Sequence, residues 1–179
     1  MNPSSLISLD EALKKLLLCA MPLNRALNVS TFRADGYVLA QDLVSAIQVP
    51  SFDNSAMDGY ALRVADLTLN DGVLKLGQRI LAGHSASPLN AGEVARIFTG
   101  APVPMGADAV VMQEEVTLVD DSHVRFQTSP AVGQCIRKKG EDIDKDIVLL
   151  PKGTRLDSCS LGLAASIGLS SLTVADSPK

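Results

Sequence analysis

The sequence predicts an α+β fold in which a β-rich domain is inserted into a smaller helix-and-strand domain built from both chain ends. Short runs that alternate β-branched and polar residues fill the middle of the chain, and helical segments precede and follow them. The predicted division places residues 1–47 and 138–179 in one discontinuous helix-and-strand domain and residues 48–137 in the inserted domain. Three small sequential units are the alternative, although each would have little core of its own.

The first segment has the periodicity of a helix over residues 9–20. Ser8 and Glu11 form a capping box, and apolar side chains then recur at helical spacing. Pro22 ends this helix. Further along, we expect a strand or extended arm, one helical turn and a second extended run, in that order: residues 26–32, 37–41 and 42–49.

The middle of the chain, past Pro50, is predicted to contain six strands: residues 60–64, 73–76, 93–99, 109–113, 116–119 and 123–127. Residues 120–122 separate the last two strands as a hairpin turn. The remainder is predicted to form a strand, a helix and a closing strand: residues 146–150, 158–167 and 172–175. Asp157 caps that helix and Gly168 ends it.

Charge and composition exclude several classes of protein. The 179 residues carry 16 Lys plus Arg against 20 Asp plus Glu, and 3% of them are aromatic. Without a basic stripe or stacking aromatics, no nucleic-acid partner is expected. The apolar run at residues 16–20 is far shorter than the ~20 residues that span a bilayer. Because Asp10 and Glu11 precede that run, a signal peptide is not expected either, and we predict a cytoplasmic protein with no membrane partner.

Several familiar site motifs are absent from the sequence. It has no Gly-x-x-x-x-Gly-Lys-Ser/Thr loop, no Gly-x-Gly-x-x-Gly fingerprint and no Gly-x-Ser-x-Gly elbow. His84 and His123 are far apart, with no further ligand at metal-binding spacing, so solvated roles are favoured. Cys19, Cys135 and Cys159 are odd in number and lack a Cys-x-x-Cys pair, so we expect three reduced, structural thiols.

Two stretches, residues 53–60 and 98–104, each carry a polar side chain at the end of a predicted strand. Asp58 precedes Gly59 at a strand entrance, which is typical of a tight turn but would also present a carboxylate for function. Thr99 stands before two prolines that hold the chain extended. This stretch is either a rigid connector or a support for a fixed hydroxyl group.

A third stretch, residues 137–142, combines cations with carboxylates. Arg137, Lys138 and Lys139 precede a glycine, Glu141 and Asp142. Such a run is typical of a solvated turn. It could also pair cations for a phosphate with a carboxylate for a divalent ion.

These stretches belong to a longer set of residues that follow one another in a recognisable order. The set comprises Pro50 and residues 52–61, 97, 99–104, 106–115, 133, 136–137, 140–142, 163–165 and 168. It resembles the molybdopterin molybdenumtransferase family, the molybdenum-insertion enzymes that include the E domain of gephyrin. The resemblance covers nearly the whole chain. At Asp146 similar proteins often have glycine, a departure that bears on the turn geometry there.

The resemblance implies a transferase that takes molybdate and adenylylated molybdopterin, breaks the adenylate link and leaves molybdenum on the dithiolene. It implies a homodimer with the reaction in a cleft between the β-rich domain of one subunit and a later α/β domain of its partner. This chain would be the N-terminal two domains, lacking the C-terminal α/β and β domains, and would be inactive alone. A non-catalytic dimerisation or protein-anchoring module on the same scaffold is the alternative, and an unrelated β-rich binding protein would require the matches to be coincidental.

The resemblance also implies roles for individual residues. Asp58, Thr99 and Asp142 would be catalytic. Because the substrates are anionic, a bridging Mg²⁺ ion is implied, with Asp58 and Asp142 as its ligands. Thr99 would donate a hydrogen bond to an oxyanion. The substrate-binding set would comprise two residues that shape the loop and three that offset phosphate charge: Asn54 and Ser55, and Arg137, Lys138 and Lys139.

Overall fold

The computed structural model describes residues 7–21 and 25–176. In chain order its helices and strands are α1 (Leu9–Cys19), β1 (Ala26–Ser30), β2 (Leu43–Val44), β3 (Asn54–Ser55), β4 (Gly59–Leu62), α2 (Val64–Leu69), β5 (Val73–Ile80), β6 (Glu93–Ile97), β7 (Ala109–Met112), β8 (Val116–Asp120), β9 (His123–Phe126), β10 (Ile136–Arg137), β11 (Val148–Leu150), α3 (Ser158–Ser166) and β12 (Ser171–Ala175). Short 3₁₀ turns lie at Thr31–Arg33 and Gln113–Glu115. The predicted α+β class is confirmed.

The chain divides into two units. Met1–Val44 and Val148–Lys179 form one, here called the terminal unit, and Ser45–Ile147 forms the other, the central unit. The structure therefore places residues 138–147 in the central unit, whereas the sequence prediction placed them with the chain ends. The reason is local pairing, because the Val49 amide donates to the Ile143 carbonyl at 2.8 Å and the Asp142 amide donates to the Val49 carbonyl at 2.9 Å.

Antiparallel pairing between the two chain ends builds the terminal unit. Strand β1 pairs with β12 along its whole length, and β2 pairs with β11. The core contains Leu39, Leu156, Ala164, Leu172 and Val174, all nearly inaccessible to solvent. The ends of the chain are therefore held in one hydrophobic unit.

The two predicted helices of the terminal unit are confirmed, together with their caps. The Ser8 hydroxyl accepts from the Glu11 amide at 3.2 Å, and the Asp157 carboxylate accepts from the Ser160 amide at 2.8 Å. Pro22, which was predicted to end α1, lies outside the described residues, while Gly168 ends α3 with φ +83°. None of the residues of α1 is buried in this chain.

The helical turn predicted at residues 37–41 is wrong. Val38 and Leu39 instead form isolated bridges with Arg155 and Val174. The Leu39 amide donates to the Thr154 carbonyl at 2.9 Å, so its hydrogen bond leaves the local chain. Tertiary pairing therefore overrides the local helical preference at this segment.

A curled six-stranded sheet forms most of the central unit, with strand order β7-β4-β6-β5-β9-β8. Only β5 and β6 run parallel within it, and the other neighbours are antiparallel. The hairpin predicted between the last two strands is confirmed as β8 and β9. Alternate residues of β4 enter two different apolar clusters, Tyr60 and Leu62 in one and Ala61 in the other, so both faces of the sheet are covered.

The sequence analysis did not predict α2 or the two-residue strands β3 and β10. It did note that Asp146 stands where similar proteins often have glycine. This residue adopts φ +65°, the left-handed conformation that glycine adopts most easily. No helix among the residues that the structure describes is long and apolar enough to cross a membrane. The cytoplasmic location stays a prediction.

Candidate functional site

Strand β3 brings together the three stretches that the sequence analysis singled out. On one side, Asn54 and Ser55 pair with Arg137 and Ile136 of β10. On the other side, the Ser55 amide donates to the Ala101 carbonyl at 3.0 Å. Residues 53–60, 98–104 and 137–142 thus converge on one short strand inside the central unit.

The side chains of Asn54 and Ser55 are buried and act within their own loop. The Ser55 hydroxyl donates to the Met57 carbonyl at 2.6 Å and accepts from the Met57 amide at 3.3 Å. The Asn54 side-chain amide donates to the Phe52 carbonyl at 3.3 Å. Their relative exposures are 6% and 0%, so both polar groups hold the loop backbone rather than face solvent.

Asp58 and Thr99 meet at the edge of the sheet and are hereafter called the Asp58–Thr99 pair. Because Gly59 lies opposite Ile97 in the antiparallel pairing of β4 with β6, the start of one strand adjoins the end of the other. The Thr99 amide donates to Asp58 Oδ1 at 2.9 Å, and the Thr99 hydroxyl donates to the same oxygen at 2.8 Å. Both residues are exposed.

These contacts set the charge of the pair. The backbone amide and hydroxyl of Thr99 lower the pKa of the Asp58 carboxyl, and the positive charge of Arg96 adds to this effect. Asp58 is therefore ionised at neutral pH. Its Oδ2 atom accepts no hydrogen bond from the described residues, so one carboxylate oxygen remains available for a ligand or water molecule.

The turn interpretation of Asp58 and Gly59 is wrong. Gly59 is the first residue of β4 and does not have a positive φ. A Cβ atom at this position would lie 2.0 Å from the Val111 carbonyl oxygen. The glycine therefore allows β4 to approach β7 closely, and this approach fixes the backbone that carries Asp58.

Two of the three cations of the third stretch, Arg137 and Lys138, are already paired with carboxylates. Arg137 Nη2 contacts Oδ1 and Oδ2 of Asp142, both at 2.6 Å. Lys138 Nζ lies 2.9 Å from Asp53 Oδ2, and the Lys139 amide donates to Asp53 Oδ1 at 2.8 Å. The Lys139 amide and the Lys138 side chain together lower the pKa of Asp53.

The residues present do not complete a site for the implied Mg²⁺ ion. No group of three or more His, Cys, Asp or Glu side chains is arranged to hold a metal in the part of the chain that the structure describes. Both oxygens of Asp142 bind Arg137, and Asp58 uses one oxygen on Thr99. Mg²⁺ takes six oxygen ligands and usually keeps several waters, and the described residues of this region offer it Asp58 Oδ2 rather than a complete set of protein ligands.

The sequence analysis missed Asp53 and Arg96 as members of this region. Asp53 lies within the set of residues that carries the family resemblance, and it contacts both Lys138 and Lys139. Arg96 could have been found from the sequence, because the alternation of a strand places it on the same face as Val94, which is buried. A charged side chain on a buried face needs polar partners.

The remaining candidates are the two histidines and the three cysteines. His84 is exposed and contacts only the Ala82 carbonyl, and His123 pairs with Asp120 in the β8–β9 hairpin. The three cysteines are free, with Cys19 and Cys159 exposed. None of these side chains enters a metal-binding group within the described ranges.

Comparison with known proteins identifies the class of protein to which this fold and its convergent loops belong. A family model described as the MoeA N-terminal region (domain I and II) matches residues 7–168. The chain therefore belongs to the MoeA family, to whose N-terminal region it corresponds.

Curated relatives and solved structures agree with this assignment. The molybdopterin molybdenumtransferase of Haemophilus influenzae is 38% identical over 164 residues, which cover 92% of this chain and 41% of that protein. Molybdopterin molybdenumtransferase 2 of Mycobacterium tuberculosis is 40% identical and covers 84% of this chain and 38% of its own length. A crystal structure of the molybdopterin biosynthesis MoeA protein from Pyrococcus horikoshii matches with a TM-score of 0.86 at 33% identity, covering 94% of this chain and 46% of that one. The chain thus spans less than half the length of these relatives.

Proposed function

We propose that this chain is the N-terminal part of a molybdenum-inserting transferase that uses molybdate and adenylylated molybdopterin to form molybdenum cofactor. The names of its relatives support a role in the biosynthesis of this cofactor. The observation that carries the site assignment is the Asp58–Thr99 pair, in which two donors hold one carboxylate oxygen and leave the other available. Such a fixed, ionised acceptor can orient a substrate or a water molecule.

The lowered pKa limits what Asp58 does in this reaction. A general base works best when its pKa lies near the working pH, and the pKa of Asp58 lies below the ordinary value for an aspartate. We therefore assign it orientation and electrostatic work rather than proton removal. Thr99 fixes the carboxylate through its amide and hydroxyl hydrogens, and its oxygen can still accept a hydrogen bond.

The neighbouring cations fit anionic substrates. Arg137 is oriented by Asp142, and Lys138 by Asp53, so their positive charges are held in place at the surface. The Lys139 side chain is exposed, forms no ion pair among the described residues and is therefore free to contact an oxyanion. We propose that these three cations attract molybdate or the adenylate phosphate, and that Asp142 acts by positioning Arg137.

The implied Mg²⁺ ion stays a prediction. If the ion takes part, Asp58 Oδ2 is an oxygen that the described residues leave free for it, and most of its other ligands must come from water, substrate or residues outside this region.

The remaining length of the relatives supplies the rest of the proposed site. Since this chain corresponds to 41% of the Haemophilus influenzae protein, we propose that the C-terminal α/β and β domains complete substrate binding and that this chain alone is inactive. We also propose a homodimer. The exposed apolar residues of α1 support an interaction role for this helix, because Leu9, Leu13 and Leu16 are 83%, 52% and 70% exposed.

The Asp58→Asn variant tests the site assignment. In a complete enzyme that carries this chain as its N-terminal part, we expect molybdenum insertion to fall by roughly two orders of magnitude or more, because the amide lacks the negative charge. The thermal midpoint should change little, since Asp58 is exposed and the amide oxygen can still accept from Thr99.

Asp121→Asn is the matched control. Asp121 is an exposed carboxylate in the β8–β9 turn, and its replacement should leave the rate of insertion unchanged. If Asp58→Asn retains full activity, or if it loses folding and activity together, the proposed role of Asp58 is wrong. In that case the non-catalytic interaction role is favoured.

A further inference from the structure

The guanidinium group of Arg96 donates hydrogen bonds to three separate segments of the central unit. Its Nη1 atom contacts the carbonyl oxygen of Gly59 at 2.8 Å and that of Ile97 at 3.0 Å. Its Nη2 atom donates to Oε1 of Gln113. One side chain thereby ties together the start of β4, the end of β6 and the turn that follows β7.

Each of these contacts adjoins the Asp58–Thr99 pair. Gly59 directly follows Asp58, and Ile97 closely precedes Thr99 in the sequence. Gln113 is connected too, because its amide donates to the Asp58 carbonyl at 3.1 Å. The acceptors of Arg96 are thus the backbone and side-chain groups that determine where the carboxylate and the hydroxyl lie.

Aromatic rings complete the surroundings of this guanidinium. Its Cζ atom lies 4.4 Å from the ring centroid of Phe98 and 5.2 Å from that of Tyr60. No carboxylate of the described residues forms an ion pair with Arg96, so its donors serve neutral oxygens. A planar fork that stacks on rings and reaches several acceptors at once is specific to arginine, and lysine lacks that geometry.

We propose that Arg96 is a positioning residue that holds β4 and β6 so that the Asp58 carboxylate and the Thr99 hydroxyl stay in contact. Arg96 acts through these two residues and does not itself touch the substrate. Its importance for catalysis rests on the proposed function, whereas its effect on the geometry of the pair can be measured without substrate.

The chain offers a closely matched control at Arg79. Arg79 lies opposite Arg96 in the parallel pairing of β5 with β6, and its Cζ atom lies 4.9 Å from the same Phe98 ring. It forms no hydrogen bond with the segments that carry Asp58 and Thr99 in the described part of the chain. Arg79→Gln therefore removes a neighbouring cation without removing the contacts of Arg96.

The first experiment uses this chain and nuclear magnetic resonance, comparing Arg96→Lys and Arg96→Gln with Arg79→Gln. In both Arg96 variants we expect the Thr99 amide hydrogen to exchange with solvent about tenfold faster, because its acceptor is no longer held. The lysine variant keeps the positive charge but loses the planar fork, so faster exchange there indicates the loss of the fork rather than of the charge. Arg79→Gln should leave Thr99 exchange unchanged.

Two outcomes of this experiment would overturn the proposal. One is a rate of Thr99 amide exchange in Arg96→Lys that matches that of the unaltered chain. The other is an equal effect in Arg79→Gln, which would indicate a general charge effect. If the Arg96 variants do not fold, Gln113→Ala removes one acceptor only, and faster exchange at Thr99 then supports the proposal while unchanged exchange contradicts it.

The second experiment measures molybdenum insertion by the complete enzyme. We expect Arg96→Lys to lower kcat about tenfold or more and to change KM by less than about twofold, because positioning acts on the reacting arrangement. If the Asp58–Thr99 contacts loosen and activity is unchanged, the catalytic role of Asp58 fails and the positioning role stands. If Asp58→Asn abolishes activity and Arg96→Lys leaves both the contacts and activity intact, the positioning role fails and the catalytic role stands.

Discussion

The missing side chain at Gly59 lets β4 approach β7 beside Asp58. An added Cβ would lie 2.0 Å from the Val111 carbonyl oxygen and 3.2 Å from Met112 Cα, and both are backbone atoms that cannot rotate away. We therefore expect Gly59→Ala to destabilise the central unit by about 1–3 kcal/mol. Hydrogen exchange of the amides in β4 and β7 would measure the loss.

Gly162→Ala is the control for that prediction. Gly162 lies within α3, and a Cβ there meets no atom within 4 Å. The substitution should stabilise the terminal unit by roughly 0.5–1 kcal/mol, since glycine weakens a helix interior relative to alanine. If both variants had the same effect, close approach at Gly59 would not be the cause.

At the scale of residues, sequence reasoning found candidates but not their partners. Asp58 and Thr99 stand out because each is a polar side chain at the end of a strand. Their mutual contact depends on the pairing of Gly59 with Ile97, which a single sequence does not specify. The same limit hid the role of Arg96, because its acceptors at Gly59 and Gln113 lie 37 and 17 residues away in the sequence.

The hairpin formed by β8 and β9 provides a test at the scale of elements. Asp120 accepts hydrogen bonds from the Ser122 amide at 2.7 Å and contacts His123 Nδ1 at 3.0 Å. The Ser122 amide, and then the His123 and Ser122 side chains, lower the pKa of Asp120 to about 2. The lowered pKa means that this turn is stabilised above the ordinary pKa of an aspartate and loses the stabilisation as the pH falls through about 2.

We therefore expect the Ser122 amide resonance to titrate with a midpoint of about 2. A Ser122 midpoint at the ordinary value for aspartate would show that the Asp120 contacts do not persist in solution. The Asp120→Asn variant should remove the transition.

Elements with complete local signals were predictable from the sequence. Helices α1 and α3 have caps and apolar residues in the same short segment, and the β8–β9 hairpin has a polar turn between two alternating runs. The structure of residues 37–41 was not predictable from the sequence, because this segment bridges to Arg155 and Val174, which are far away in the chain. The two-residue strands β3 and β10 are too short to carry a periodic signal.

Strand pairing holds the terminal unit together, whereas the chain crosses between the two units at residues 44–45 and 147–148. Strand pairing joins residues 26–30 to residues 171–175, whereas residues 46–47 and 144–147, next to the two crossings, are exposed. We expect limited proteolysis to cut first near residues 44–48 and 145–148 and to leave the terminal fragments associated through β1 and β12. Size-exclusion chromatography of the cleaved chain, followed by mass spectrometry, would test this. Separation of the two terminal fragments under native conditions would contradict it.

The inserted arrangement was accessible from changes in composition along the chain, but its second boundary was not. Basic and acidic residues at 137–142 resemble a linker, and the sequence alone does not reveal that Ile143 returns to pair with Val49. At this scale the family resemblance carried the functional hypothesis, since no nucleotide-binding or hydrolase motif is present. The site is built from loops that only the folded central unit brings together.

Formation of molybdenum cofactor from molybdate and adenylylated molybdopterin is the measurement that tests the proposed function most directly. It should be made with this chain alone, with the complete enzyme and with its Asp58→Asn variant, at equal concentrations. We predict product from the complete enzyme, a rate lower by roughly two orders of magnitude or more in the variant, and none from the isolated chain. Steady product formation by the isolated chain, or full activity in the variant, would contradict this account.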